Sequence, residues 1–279
     1  MVEDNSRHLG GSRFPAGTIL LILAIETSGR DGSIALWEGD RASTRLDDRA
    51  SIAGDPCEAR LDGRTAQTLA PGIARLLADC RRSPADLQAI AVSVGPGSFT
   101  GLRVGITTAK TMAWALGIPL VAIDSLQSIA WRAFQDEQVR RHWEQAPNAP
   151  VTLTVASDAH RGQVFAACFQ LLPPANGTSL ADRLISLEPQ ASDAESRTVL
   201  RQEWLDECGE HDFASGPALR LVAPPANALS ESLREPTAAA VAHLGQAALE
   251  RGESVDPFQL LPCYGRLSAA EEKRQAREA

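Results

Sequence analysis

The 279-residue sequence predicts an α/β fold of two lobes, each a mixed sheet with flanking helices. Three observations carry this expectation. Short apolar runs and helical patterns follow one another as βββαβαβ in the first half of the chain. A strand, turn, strand unit of that half returns 130 residues later with its apolar positions aligned. Hydrophobic residues make up 44% of the chain, enough for a substantial core. The formal charge of -8 argues against a general nucleic-acid footprint, because neutralising phosphates needs clustered Lys and Arg. Any RNA contact then requires a local patch or a partner. Five scattered cysteines without a CxxC pair argue against a zinc site or a disulfide framework, and for a reducing, cytoplasmic setting.

The elements follow in order. Residues 1–17 (MVEDNSRHLGGSRFPAG) are polar and glycine-rich and are read as a mobile extension. The run Ile19–Ile25 follows two arginines, as in a signal peptide, but it is only seven residues long and Glu26 ends it. A buried strand, Thr18–Ile25, is the expectation, and no run reaches membrane-spanning length. The turn Gly29–Gly32 leads to strands Ser33–Trp37 and Ala42–Leu46, completing a meander, and Ser51–Gly63 reads as a loop. A helix is expected over Thr65–Cys80, with Pro71 in its first turns or at a kink. Strand Asp86–Val94 follows, then a helix ending at Gly117, where glycine suits the C′ position and Pro119 forbids continuation. Leu120–Ile123 is the fifth strand. This is the order of a ribonuclease H-like half.

LAIETSGRDGSIALW (Leu23–Trp37) aligns without a gap to LTVASDAHRGQVFAA (Leu153–Ala167), so a second such lobe is expected. The charged, proline-terminated segment 135–150 is read as the linker between a first lobe, 18–134, and a second, 151–267. Helices are expected over Pro189–Cys208 and Thr237–Arg251, and residues 268–279 form a charged tail.

The most informative stretch is SVGPGSFTGLRVGITTAK, from Ser93 to Lys110. It lacks the GK pair of a P-loop, and its GxGxxG pattern ends in Thr100 instead of glycine. What survives is a flexible βα turn. A capped turn is favoured over an anion site built from Thr27, Ser28, Gly95, Gly97, Ser98 and Thr100 with the helix amides. Gly101, Gly105, Ala109, Ala113 and Gly117 recur every four residues and leave a nearly side-chain-free ridge. Helical glycine costs about 1 kcal/mol relative to alanine, so close packing must compensate. The compensating contact is either the chain's own sheet or a partner subunit. The partner surface would comprise Leu69, Ile73 and Leu76 with Gly101, Leu102, Gly105, Ile106, Ala109 and Met112. On that reading Gly105→Leu leaves the fold intact and blocks docking.

Other chemistry is sparse. Glu26, Thr27, Ser28 and Asp31 cluster after the first strand and Asp158 with Arg161 in the related turn, so two facing turns would suit a nucleotide phosphate. The five histidines show no HxxxH or HExxH spacing, and no serine or cysteine sits in a GxSxG elbow. No metal site and no catalytic constellation are expected.

ILAIETSGRDGSIALW, SVGPGSFTGLRVGITTAKTMAWALGIPLVAIDSLQSIA and SDAHRGQVFAA resemble the TsaB family, the dimerisation subunit of the bacterial machinery that makes threonylcarbamoyladenosine in tRNA. The resemblance is dense from Ile19 to Ala130 and beyond that rests on DAHRGQVF and PCYGR (Pro262–Arg266). It implies the two-lobed actin-like or Hsp70-like ATPase fold and a non-catalytic scaffold that serves with TsaD and TsaE. That machinery forms N6-threonylcarbamoyladenosine at adenosine 37 of tRNAs reading ANN codons. The catalytic relative TsaD carries a metal-binding HxxxH, and the matching positions here are Ser125 and Ile129, neither able to replace imidazole. The resemblance further implies pairing with TsaD through helices of the first lobe, entry of TsaE, tRNA contact only through the complex, and no cofactor of its own. ATP or ADP at the joint interface and a homodimer in isolation stay open. An arginine is common where His160 stands, and Gly265 replaces a usual leucine. The competing readings are a nucleotidase or metallopeptidase using Glu26, Asp31 and Asp158, and a self-associating structural subunit.

Overall fold

Strand β1 (Leu20–Glu26) is buried along its whole length, as LLILAIE must be if both faces of its sheet are covered. A tight turn returns the chain antiparallel as β2 (Ser33–Gly39), and β4 (Ala89–Gly95) pairs with β1 in parallel. With β3 (Cys57–Arg60) and β5 (Leu120–Asp124) at the edges, the sheet order is β3-β2-β1-β4-β5. The computed structural model describes residues 20–39, 57–173, 183–186 and 197–264. The expected extension 1–17, strand Ala42–Leu46 and tail 268–279 lie outside the described residues. Strand β3 lies inside the segment read as a loop. CEAR is polar and mostly exposed, pairs among the described residues with β2 alone, and has no apolar alternation to reveal it.

Alternation along β1 divides the layers. Leu21, Leu23 and Ile25 face α1 (Thr65–Asp79) and α2 (Phe99–Leu116), while Ile22 and Ala24 face α3 (Ser125–Arg132) and α6 (Ala238–Glu250). Pro71 lies inside α1 on its exposed side. The Ser98 hydroxyl caps α2 by accepting from Gly101 N, and Gly117 ends it in the left-handed region at φ 63°. The segment read as a linker holds α4 (Glu137–Gln145), capped by Asp136, with Val139 and Trp143 buried. Its charged residues are the solvent side of an amphipathic helix, which composition alone does not distinguish from a linker.

The second sheet repeats the opening hairpin. β6 (Val151–His160) and β7 (Gln163–Leu171) pair antiparallel, β10 (Phe213–Ser215) joins β6 in parallel, and β8 (Leu184–Ser186) and β9 (Arg197–Leu200) both pair with β7. Of the helix expected over Pro189–Cys208, the described residues form α5 (Arg201–Glu207). Residues 197–200 are strand, since RTVL carries β-branched residues and extends the sheet along β7, and 187–196 lie outside the described residues. Trp204 of α5 is fully buried and donates its Nε1 to Thr154 Oγ1 at 2.9 Å.

The described residues of 151–267, read in sequence as one lobe, divide between the two sheets. The nearly all-buried α6 packs on the first sheet, with Gly245 seated over Ala91, where a Cβ would come within 2.5 Å. Residues 255–264 then strap that sheet. Val255 N donates to Leu120 O at 2.8 Å, Lys110 Nζ to Leu260 O at 2.8 Å and Cys263 N to Val94 O at 2.7 Å. The layers are therefore α1/α2, first sheet, α3/α6, second sheet, α5.

His243 fastens the central layer. Its ring lies 4.3 Å from that of Trp37 and stacks on Trp131 at 4.6 Å, while Trp37 Nε1 donates to Gln246 Oε1. Burial pushes the imidazole down to about 4 from its usual 6.5. The unfolded chain binds this proton more readily, so the stability contribution is complete above about pH 6.5 and is lost as pH falls toward 4. This group alone should remove on the order of 3 kcal/mol across that window. Urea melts of wild type and His243→Gln should therefore converge as pH falls from 7 to 4. Parallel pH profiles would refute this role.

Candidate functional site

The site begins where β4 turns into α2. Gly95 takes φ 115° with Cys263 O against it, so close that a Cβ would sit at 2.1 Å. Beyond it, Ser98 N donates to Ser28 O at 2.8 Å, holding the β4–α2 turn against the β1–β2 turn. Added Cβ atoms on Gly97 and Gly101 would lie 2.4 Å from Ser28 O and 2.0 Å from Thr27 O. One on Gly105 would lie 2.1 Å from Thr27 Oγ1. The glycine ridge is thus filled by the chain's own first turn.

This corrects the expected partner surface. Leu69, Ile73, Leu76, Gly101, Leu102, Gly105, Ile106 and Ala109 are buried between the helices and the first sheet, and Met112 is partly buried against the same cluster. Helical periodicity identified a buried face, and burial against the chain's own sheet produces the same pattern as burial against a subunit. The outward faces are Ala66, Ala70, Ala74 and Ala78 on α1 and Thr107, Thr111, Trp114 and Ala115 on α2. Trp114 is 65% exposed, and Phe258 of the strap meets it edge-on at 6.3 Å. Leu261, 74% exposed, lies on the same strap.

Glu26 shapes the β1–β2 turn. Its Oε1 accepts from Ser28 N, from Ser28 Oγ at 2.6 Å and from Gly29 N at 3.3 Å. Its Oε2 is buried without a partner, and burial raises the carboxyl above its ordinary range. At the end of β5, Asp124 caps α3 through Gln127 N at 2.8 Å. Burial pushes its carboxyl up to about 6, reinforced by the nearby Glu26.

Between the lobes lies a cavity of about 1050 Å³, walled by both hairpin turns. Of the residues expected to hold an anion, Ser28, Gly97, Ser98 and Thr100 line it. Thr27 and Gly95 do not, because Thr27 is buried under α2 and Gly95 under the strap. The alignment of the two hairpins in sequence is what brings Asp158 and Arg161 to the opposite wall. Sequence reasoning missed Ser157, Arg220 and the aromatic rim. Ser157 Oγ is buried at the cavity wall without a hydrogen-bond partner. Arg220 Nη1 lies 2.8 Å from Glu235 Oε1. Phe99 and Tyr264 pack at 4.6 Å, with the Arg103 guanidinium 3.9 Å from the Phe99 ring and its Nε donating to Tyr264 Oη at 2.8 Å. These residues were invisible because they come from four distant segments.

Two of the three carboxylates of the enzyme reading are engaged in turns. Glu26 accepts from its own turn, and Asp158 Oδ1 accepts from His160 N at 2.9 Å. Asp31 is exposed and is not among the cavity-lining residues. Among the described residues no group of three or more His, Cys, Asp or Glu is placed to hold a metal ion, and no helix is long and apolar enough to cross a membrane.

Two ribonuclease H-like lobes, each opened by a hairpin and separated by a cleft that both hairpin turns line, define an actin-like α/β protein. Two Pseudomonas aeruginosa structures share the fold. One, described by similarity to the peptidase YeaZ, covers 89% of this chain and all of its own length at TM-score 0.60 and 28% identity. YeaZ itself covers 88% and all of its own length at 0.59 and 26%. The family described as TsaD, tRNA N6-adenosine threonylcarbamoyltransferase, matches residues 63–188. The tRNA threonylcarbamoyladenosine biosynthesis protein TsaB of Bacillus subtilis is 32% identical over 73% of this chain and 80% of its own length. TsaB of Escherichia coli is 29% identical over 53% of this chain and 54% of its own length. The chain belongs to the TsaB family.

The glycine contacts reverse the expected behaviour of Gly105→Leu. A side chain there must displace Thr27, so Gly105→Leu should fail to fold stably. Gly105→Ala should lose about 1–3 kcal/mol despite its better helix propensity. Thermal melting of the purified alanine variant checks this, and a Tm equal to or above wild type would count against it.

Proposed function

We propose that this chain is a non-catalytic scaffold subunit in tRNA threonylcarbamoyladenosine biosynthesis, docking a TsaD-type catalytic subunit on the outward faces of α1 and α2 and allowing TsaE to join. Membership of the TsaB family supports the pathway. The observation that carries the docking surface is Trp114, a large aromatic side chain exposed on α2, with exposed Phe258 edge-on to it and exposed Leu261 on the same strap. Aromatic anchors ringed by apolar neighbours are the side chains that dominate binding energy at protein interfaces. The alanine stripe of α1 next to it would let another helix approach closely, since Cβ atoms alone stand between the backbones. The buried faces of the same two helices hold them rigidly on the first sheet, so the surface is formed before binding and little ordering is needed. tRNA would be reached only through the complex, consistent with the acidic net charge of -8. Trp114→Glu should keep the wild-type Tm within about 2 °C, because the side chain is exposed, and weaken TsaD binding by at least about tenfold. Calorimetric titration of TsaD into each protein measures this, and unchanged affinity would remove Trp114 from the interface.

A second reading concerns the cleft, where Ser157 lines the wall with a buried, unpartnered Oγ and the surrounding arginines and amides suit an oxyanion. The start of α2 offers backbone amides beside Ser98 and Thr100, and Arg30, Arg161 and Arg220 line the same space. Asp158 and Glu235 also line it, which leaves only a slight positive excess and favours a nucleotide shared with a partner over one held by this chain alone. ATP or ADP should bind the TsaD complex more tightly than the isolated chain. Ser157→Val should weaken nucleotide binding to the complex several-fold without altering TsaD affinity. An unchanged nucleotide affinity would place the nucleotide elsewhere.

A further inference from the structure

Cys57 opens the edge strand β3 and is exposed; Cys80 follows α1 as its C-terminal cap and is partly buried against the first-lobe core. The two lie far apart in sequence, yet Cys57 pairs with Leu36 on the face of the first sheet that α1 covers, Cys80 packs against the same core at the end of α1, and the two thiols are near enough to act on one another. We propose that Cys57 and Cys80 are a reversible oxidative modification site that forms an intramolecular disulfide, tying β3 to the end of α1. The inference rests on this juxtaposition and is independent of the docking reading.

The chemistry assigns different roles to the two sulfurs. A peroxide is the oxidant. The exposed Cys57 thiolate attacks one peroxide oxygen, breaking the O–O bond, so that Cys57 becomes a sulfenic acid and hydroxide leaves. Cys80 then attacks the Cys57 sulfur as its thiolate, the S–S bond forms, and the sulfenic oxygen departs as hydroxide. The two thiol protons convert both hydroxides to water, and the two electrons lost by the sulfurs have reduced one peroxide. Burial first, and then Cys57, pushes the Cys80 thiol up to about 11, which makes it a poor nucleophile toward free peroxide and leaves the first step to the exposed Cys57; its attack in the second step relies on the adjacent sulfur being activated.

The remaining cysteines are worse placed. Cys208 is fully buried and its thiol is pushed up to about 12, chiefly by burial. Cys168 lies 3.5 Å from His211 Nε2 in the second lobe. Cys263 runs beside Val94 and Gly95, on the side of the first sheet away from β3.

Closing the loop between residues 57 and 80 restricts the unfolded chain, so the oxidised protein should melt roughly 5–10 °C above the reduced one. The full chain is reduced, treated with one equivalent of hydrogen peroxide, blocked with N-ethylmaleimide and digested. A Cys57–Cys80 cross-linked peptide should dominate the mass spectrum, vanish with dithiothreitol, and be missing from Cys57→Ser and Cys80→Ser. Only wild type should show the thermal shift. Cys57 is exposed, so Cys57→Ser folds even if Cys80→Ser does not, and it carries the test by itself. Over-oxidised Cys57 without a cross-link, a dominant disulfide among Cys168, Cys208 and Cys263, or an equal Tm shift in Cys57→Ser would each overturn the proposal.

Discussion

The close approach of Thr27 and Ser28 to the first turns of α2 is the constraint on which the rest of the first lobe depends. Those two residues leave β1 and pass under α2 so tightly that side chains at 97, 101 and 105 would overlap them. Each helical glycine weakens α2 by about 1 kcal/mol, and burial of the turn against the helix compensates. The Ser98 amide bond to Ser28 and the cap on Gly101 complete the joint. With this contact set, the direction of α2 across the sheet is set, and with it which residues of α2 reach solvent. The exposure of Trp114 is therefore a consequence of glycines up to seventeen residues earlier in the chain.

The same contact builds one wall of the cleft. Glu26 folds the β1–β2 turn by accepting from two successive backbone amides and the Ser28 hydroxyl, and the turn then presents Ser28 to the cavity. The opposite wall is made by the equivalent hairpin of the second sheet, where Asp158 holds the His160 amide. The walls differ in what they leave unsatisfied. In the first lobe the orphaned oxygens of Glu26 and Thr27 are sealed under the turn, while in the second the orphaned Oγ is that of Ser157, equally buried but on a residue that lines the cavity.

The lobes are held together by elements that sequence order assigns to the wrong half. α6 lies after every strand of the second sheet, yet it fills the gap beneath the first, where His243 stacks on Trp131 and meets Trp37 at a tilt. β1 is apolar on both faces, so the first sheet needs a cover on each side, and α1 with α2 supply only one. The strap that follows α6 pins α2 through Lys110 and Arg103 and carries Phe258 and Leu261 to the outer face. The strap thus supplies both Tyr264 of the cleft rim and the Phe258 and Leu261 of the exposed apolar patch.

Much of this was legible in residues alone. The buried strands, the two amphipathic helices, the Gly117 stop and the hairpin repeat between Leu23–Trp37 and Leu153–Ala167 all carry local signals of periodicity or turn chemistry. The GPGSFTGLRVG stretch announced a close approach, because helical glycines at four-residue spacing have few other uses. Tertiary structure alone decided what approached. Periodicity reports that a face is buried and carries no label for the partner, so a ridge packed on Thr27 and a ridge packed on a subunit read alike. The polar edge strand β3 and the charged α4 escaped for a related reason: pairing and capping hold them, and neither leaves an apolar pattern. Ser157, Arg220 and Tyr264 meet only when the chain folds, and α6 joins the first sheet because covering a two-faced apolar sheet is a property of the assembled layers and of no single segment.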